Sequence, residues 1–139
     1  MREARAVFDT NVLISAWFWD GREAASIEMV EEGAIKGYTS PQMLEELRSA
    51  ITHPKLELIE EEIETICSYY SPLLNCVEPK RRVRVIVEDE DDNKVLECAL
   101  EAKAGYIVSG DRHLLRLKEF EGIRILNGRE FIELAKQMR

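Results

Sequence analysis

Short apolar runs alternate with amphipathic helical stretches along the whole of this 139-residue chain, and that alternation constrains its fold more than any other feature. Short apolar runs bounded by polar residues are typical of buried strands, and apolar residues at every third or fourth position are typical of helices. Where strands and helices alternate, the strands usually form a parallel sheet that helices cover on both faces. We therefore expect an α/β fold with a buried parallel sheet.

The expected elements follow one another without an internal repeat, a low-complexity tract or a linker, so we expect a single domain over residues 1–139. The expected strands are 4–8, 37–39, 73–77, 106–108 and 123–126, and the alternating valines of 83–87 allow a further extended segment. The expected helices are 10–19, 23–34, a helix from Pro41 to a break at His53-Pro54, 57–70 with Ile59, Ile63, Ile66 and Tyr70 inward, 91–102, 112–117 and 128–138.

The sequence has no feature of a membrane or secreted protein. No apolar run reaches the roughly 18 residues that a membrane helix needs, and the N-terminus leads directly into the first short strand. The three cysteines, Cys67, Cys76 and Cys98, lack CxxC spacing, which disfavours a disulfide framework and a zinc site. We expect a cytoplasmic protein without membrane association.

The net charge of −8 is unusual for a protein that binds nucleic acid, because phosphate binding normally depends on lysine and arginine. Two explanations stay open. The acidic excess holds metal ions, which reverse the local sign of the charge, or the basic side chains are concentrated at residues 80–84, Lys-Arg-Arg-Val-Arg. A solvated loop is an equally good interpretation of that basic run.

Acidic residues follow two of the expected strands. Asp9 ends the first strand, and Asp111 lies just past the strand at 106–108. Ligands of open α/β sheets bind outside the carboxyl ends of strands, where the strand order reverses, so neighbouring strands would bring these two side chains to one crevice. Asp92 begins the helix that leads to the second strand, and Glu46 lies about a turn and a half into the helix after the strand at 37–39.

Carboxylates that converge without an interleaved cation repel one another, and hard divalent ions relieve that repulsion. An all-oxygen ligand set suits Mg²⁺ or Mn²⁺, which activate water and stabilise a phosphoryl transition state. His53 and His113 lie outside these segments, and no Ser-His or Cys-His pair is evident. The alternative is that Asp9 and Asp111 cap helices, that Asp92 favours a helix start, and that Glu46 is simply solvated.

Four segments resemble the motifs of the PIN-domain family, in the family's order and over nearly the whole chain. They are residues 7–16 (VFDTNVLISA), 39–48 (TSPQMLEELR), 91–100 (DDNKVLECAL) and 104–111 (AGYIVSGD). The resemblance implies a three-layer α/β/α sandwich around a central parallel sheet. It also implies RNA cleavage that depends on Mg²⁺ or Mn²⁺.

The same resemblance assigns the catalytic and metal-binding roles. It places the acids at Asp9, Glu46, Asp92 and Asp111, with Asn11 and Ser109 as supporting hydrogen-bonding residues. Glu46 is preferred to its neighbour Glu45 because it matches the family's Glu-Leu pair and lies at the edge of the apolar stripe. Asp92 is preferred to Asp89 and Asp91 by its spacing to Ala99-Leu100.

We expect a metal-dependent endoribonuclease in which Asp9 anchors the ions, Asp92 and Asp111 complete their shell, and Glu46 orients the attacking water or binds a second ion. The motifs are most similar to the prokaryotic branch of toxins from toxin–antitoxin pairs, which implies an antitoxin partner. Two alternatives stay open, namely an RNA-processing PIN nuclease outside such pairs and a catalytically silent PIN module that binds RNA or protein.

Two other enzyme and signalling classes fit less well. A haloacid-dehalogenase-type phosphatase also begins with a strand that ends in Asp, but it needs a second Asp where this chain has Asn11. A phosphoacceptor signalling domain needs a lysine after its last strand, and Asn127-Gly128-Arg129 follows here. Separately, no helix buries Trp17, Phe18 and Trp19 on one face, so we expect an exposed aromatic side chain and a homodimer.

Overall fold

The computed structural model describes residues 4–138, which form six strands, seven α-helices and one short 3-10 helix. The strands are β1 Arg5–Phe8, β2 Lys36–Thr39, β3 Asn75–Cys76, β4 Tyr106–Val108, β5 Glu119–Phe120 and β6 Ile123–Leu126. The helices are α1 Thr10–Phe18, α2 Arg22–Glu31, α3 Pro41–Ile51, α4 Glu60–Leu73, α5 Glu90–Ala102, α6 Arg112–Leu115 and α7 Gly128–Gln137, with the 3-10 helix at Pro54–Leu56. No helix in this part of the chain is long and apolar enough to cross a membrane.

The strands form one sheet in the order β3-β2-β1-β4-β6-β5. Every neighbouring pair is parallel except β5 and β6, which are antiparallel. The chain runs outward from β1 to β3 and then returns to β4 on the other side of β1, so the strand order reverses between β1 and β4. The register pairs Phe8 with Val108, which places the residues after these two strands side by side. The prediction of a parallel sheet is confirmed, with an antiparallel edge strand that was not predicted.

Helices cover both faces of the sheet. Successive side chains of a strand point to opposite faces, so strands that are apolar throughout need cover on both. Phe8 and Val108 belong to an apolar cluster with buried residues of α1, α2, α4 and α7. Val7 and Ile107 belong to a second cluster with buried residues of α5 and α6. The three-layer α/β/α arrangement is therefore confirmed.

The turn from β2 into α3 follows the predicted capping pattern. The Ser40 hydroxyl accepts a hydrogen bond from the Met43 N–H at 3.3 Å, and Pro41 occupies the first turn of α3. Met43 and Leu47 are buried on the inner side of the helix. The cap thus fixes both the start of α3 and the face that carries Glu46.

One local prediction was wrong, and one segment that the sequence left open forms no strand. Ile59 is 59% exposed rather than inward, because α4 begins only at Glu60 and Ile59 precedes it. Residues 83–87 form no strand, although Val83 and Ile86 are buried. Their backbone hydrogen bonds go to side chains of α5 instead of a neighbouring strand.

Candidate active site

Asp9 lies at the carboxyl end of β1, at the point where the strand order reverses, and is 4% exposed. Its Oδ2 accepts a hydrogen bond from the Ser109 hydroxyl at 2.7 Å, and Ser109 directly follows β4. Burial raises the pKa of Asp9, the Ser109 hydrogen bond opposes the shift, and the nearby charges of Asp111 and Asp89 add to it. Asp9 occupies the N-cap position of α1 without a side-chain capping hydrogen bond, so helix capping alone does not explain its burial.

Ser109 also connects Asp9 to Asp111. Its hydroxyl oxygen accepts a hydrogen bond from the Asp111 N–H at 2.9 Å while it donates to Asp9. Asp111 caps α6 through a hydrogen bond from the His113 N–H at 2.7 Å. The cap interpretation therefore holds for Asp111, and the same carboxylate belongs to the acidic cluster described next.

Asp89, Asp92 and Asp111 each offer a carboxylate oxygen, and these oxygens lie within 4.8 Å of one another. Asp92 comes from the first turn of α5 and Asp89 from the residue that caps it, where the Asp89 carboxylate accepts a hydrogen bond from the Asp91 N–H at 3.0 Å. Asp89 is a candidate site residue that the sequence argument set aside in favour of Asp92.

Asp92 is a buried carboxylate that lies among other acids. It is 6% exposed, and no hydrogen-bond donor among residues 4–138 reaches its buried Oδ2. Burial first, and then the charges of Asp111, Asp89, Asp9 and Glu46, raise its pKa to about 8. A buried carboxylate oxygen without a donor is the kind of atom that a cation satisfies.

Glu46, rather than Glu45, lies on the side of α3 that faces the acids. Glu46 is partly buried whereas Glu45 is exposed. Burial raises the pKa of Glu46 to about 7, and the charges of Asp9, Asp91 and Asp89 contribute in the same direction. The structure thus brings Glu46 to the same crevice as Asp9.

Three further residues considered in the sequence argument are not among the converging carboxylates. Asn11 is exposed in the first turn of α1, and its side chain forms no hydrogen bond within residues 4–138. The exposed Asp91 carboxylate pairs with Lys94 at 3.0 Å. His113 lies beside Glu88, with 3.7 Å between Nδ1 and Oε2.

The donor set fits a hard divalent cation. Three carboxylate oxygens converge within 4.8 Å, the buried carboxylate of Asp9 lies near them, and one buried oxygen has no donor within residues 4–138. Oxygen-only clusters of this kind suit Mg²⁺ or Mn²⁺. Zinc prefers ligand sets that contain thiolates and imidazoles.

A sequence profile of the PIN domain matches residues 5–113, which include Asp9, Glu46, Asp89, Asp92 and Asp111. The chain belongs to the PIN-domain family, and membership of that family supports a nuclease. An uncharacterized protein of Methanocaldococcus jannaschii is 34% identical over 119 residues, which are 83% of this chain and 76% of the relative.

Among solved structures, the chain resembles VapBC2 from Rickettsia felis bound to a DNA fragment from their promoter. The TM-score is 0.64 at 12% identity, and the match covers 88% of this chain and 98% of the other. At that level of identity the likeness concerns the fold, and it agrees with the sheet flanked by helices described above.

Proposed function

We propose that the protein is a metal-dependent endoribonuclease that hydrolyses RNA phosphodiester bonds at the crevice between β1 and β4. The observation that carries the proposal is the convergence of Asp89, Asp92 and Asp111 within 4.8 Å, next to the buried Asp9. Membership of the PIN-domain family supports the same reaction class.

In this proposal Asp92, Asp111 and Asp9 hold Mg²⁺ or Mn²⁺, with Asp89 as an additional ligand. A bound divalent ion would supply Lewis acidity and would neutralise charge that develops on the phosphate in the transition state. Without a cation, burial and then the charges of the neighbouring acids raise the pKa of Asp92 to about 8. The chain's own contribution is the fixed placement of the oxygens, to which Ser109 contributes through Asp9 and the Asp111 backbone.

Glu46 is proposed to hold the attacking water. Its carboxylate lies on the α3 side of the crevice, opposite the α5 acids, and its pKa of about 7 suits proton transfer near neutral pH. As the water oxygen bonds to phosphorus, its proton passes to Glu46, the bond between phosphorus and the leaving ribose oxygen breaks, and that oxygen takes a proton from solvent water.

We also propose that the protein acts in the cytoplasm as the toxin of a toxin–antitoxin pair and binds an antitoxin protein. The similarity of its motifs to that branch of the family supports this, as does the likeness of its fold to VapBC2. Two alternatives remain: an RNA-processing PIN nuclease outside such pairs, and a catalytically silent PIN module that binds RNA or protein.

The test is incubation of a mixed RNA pool with purified protein and Mn²⁺ or Mg²⁺, with and without EDTA, followed by sequencing of the cleavage ends. We expect cleavage that stops in EDTA and is absent in Asp9→Asn. Full cleavage in EDTA would refute the metal mechanism. RNA binding without cleavage under any metal condition would favour the silent module.

A further inference from the structure

A groove of about 500 Å³ lies between residues 82–87 and α5, outside the acidic crevice. Its wall carries Arg82, Arg84 and Lys94, together with the apolar Val87, which is 82% exposed. The proposed chemistry uses none of these side chains.

The wall of the groove is held in place by buried side chains of α5. Asn93 Oδ1 accepts hydrogen bonds from the Val85 and Ile86 N–H groups at 3.1 and 2.9 Å, and its Nδ2 donates to the Ile86 carbonyl at 2.7 Å. Glu97 Oε2 accepts from the Val83 N–H at 2.9 Å. Asn93 and Glu97 are 5% and 7% exposed, so the loop is fixed to the helix rather than free in solvent.

The groove is locally basic in a chain whose net charge is −8. Three cations line it against two acids, and two of these cations are paired, Arg82 with Glu97 at 3.7 Å and Lys94 with Asp91 at 3.0 Å. Arg84 is exposed and forms no ion pair within residues 4–138. A free guanidinium beside an exposed apolar side chain fits a phosphate with its attached ribose or base.

The groove and the acidic crevice both include residues from the first turns of α5. Glu90, Asn93 and Lys94 line the groove, whereas Asp92 and the capping residue Asp89 belong to the crevice. The positive charge of Lys94 lowers the pKa of Glu46 against the larger effects of burial and the acids, so Lys94 lies near both regions. A strand that occupies the groove would therefore extend toward the crevice.

We propose that this groove holds the phosphodiester backbone of a single RNA strand and leads it to the acidic crevice, with Arg84 contacting a phosphate. The proposal rests on the proposed ribonuclease function and adds the route by which the substrate reaches the site. The basic run at 80–84 then has two parts, since Arg81 is paired with Glu121 at 2.6 and 2.7 Å and Arg84 is free for the ligand.

The test compares Arg84→Gln with Arg84→Lys and with the matched control Arg81→Gln, which removes a charge from the same run outside the groove. The first measurement is the Kd of a fluorescent single-stranded RNA of about 12 nucleotides in EDTA, where cleavage does not interfere. We expect Arg84→Gln to weaken binding by about tenfold and the dependence of log Kd on log salt to fall by about 0.7. Arg84→Lys should keep the salt dependence, and Arg81→Gln should change neither quantity.

The second measurement is Mn²⁺-dependent hydrolysis of bis(p-nitrophenyl) phosphate, which reaches the acidic crevice without filling the groove. We expect Arg84→Gln to lose far more of the RNA cleavage than of the hydrolysis of this small substrate. If Arg84→Gln and Arg81→Gln bind RNA alike, the groove proposal is wrong, whatever the hydrolysis shows. A second outcome is that the parent hydrolyses neither substrate and that, of the variants, only Arg84→Gln binds RNA more weakly than the parent. In that case the nuclease proposal fails and the groove proposal stands.

Discussion

The Ser109 hydroxyl lies 2.7 Å from Asp9 Oδ2 and joins the carboxyl ends of β1 and β4. The same oxygen accepts a hydrogen bond from the Asp111 N–H, so one buried serine holds two of the acids in a fixed relation. Ser109 touches the reacting groups only through these acids, and we regard it as a positioning residue. This arrangement gives the first prediction.

Ser109→Ala should reduce metal-dependent RNA cleavage by about 10- to 100-fold, the usual range for loss of a residue that orients metal ligands. It should also cost about 1–3 kcal/mol of stability, because the Asp111 N–H loses its acceptor. Ser26→Ala is the matched control, since Ser26 is equally buried and its hydroxyl donates to the Glu23 carbonyl at 2.7 Å, remote from the acids. Equal losses of activity in the two variants would show a general effect of destabilisation.

The two adjacent glutamates of α3 give the second prediction. Glu46→Gln should lower the cleavage rate by about 100-fold or more, because it removes the proposed proton acceptor while conserving shape. Glu45→Gln should leave most of the activity, since Glu45 is exposed on the outer side of the helix. Rates measured with a short RNA in Mn²⁺ test both variants, and the reverse ranking would assign the role to Glu45.

The exposed aromatic residues at the end of α1 give the third prediction, a homodimer. Trp19 is 64% exposed and Trp17 is 37% exposed, in agreement with the expectation that one helix face does not bury all three aromatics. At a protein concentration of tens of micromolar, a dimer with an association free energy of about −7 kcal/mol forms. Light scattering of the parent at this concentration should therefore show a dimer. Trp19→Glu should shift it to a monomer, and Val85→Glu, an equal charge change at another exposed apolar residue, should not. A monomeric parent would contradict the prediction.

The sequence was sufficient to predict the crevice because its position depends on strand ends. Asp9 and Asp111 follow apolar runs, and in a parallel sheet these ends meet wherever the two strands are neighbours. Glu46 was predictable from the phase of α3 relative to its buried residues. These inferences need only the spacing of the apolar residues in each helix and strand, and the position of the carboxyl end of each strand in the sheet.

Asp89 could not be chosen by the same reasoning, because helix boundaries are poorly determined by periodicity. The start of α5 at Glu90 makes Asp89 its cap, and the cap geometry brings the Asp89 carboxylate toward Asp92 and Asp111. The run of acids at 88–92 suggested a helix start, but the sequence did not distinguish the acids of the crevice from Asp91, which pairs with Lys94.

The sequence left the structure of residues 83–87 open for a related reason. Alternating valines are typical of a strand, but here the partner of the backbone is the side chain of Asn93, which accepts and donates three hydrogen bonds. Strand β5 was missed because it has two residues and reverses into β6 at Glu121 and Gly122, both with positive φ. Both cases depend on contacts that a local pattern does not contain.

The final prediction concerns stability, and it distinguishes a shared acidic site from separate helix caps. Burial and neighbouring charges raise the pKa of Asp92 to about 8 and that of Glu46 to about 7, above the ordinary values of 3.8 and 4.5. The native state therefore binds protons more tightly than the unfolded chain. Their contribution to stability is complete below the ordinary values and is lost as the pH rises through about 7 to 8.

In EDTA, the melting temperature of the parent should thus fall between about pH 5 and pH 8, by about 5 °C. Asp9→Asn removes one charge but keeps an oxygen that accepts from Ser109, so it should raise the melting temperature near neutral pH and flatten the fall. Mn²⁺ should stabilise the parent and not Asp9→Asn, because a ligand stabilises only a state that binds it. Asp20→Asn, which removes a charge from an exposed residue, is the control and should behave like the parent. If the acids were separate helix caps, Mn²⁺ would not change the melting temperature of the parent, and Asp9→Asn would be no more stable than the parent in EDTA. That pair of results would exclude the shared site.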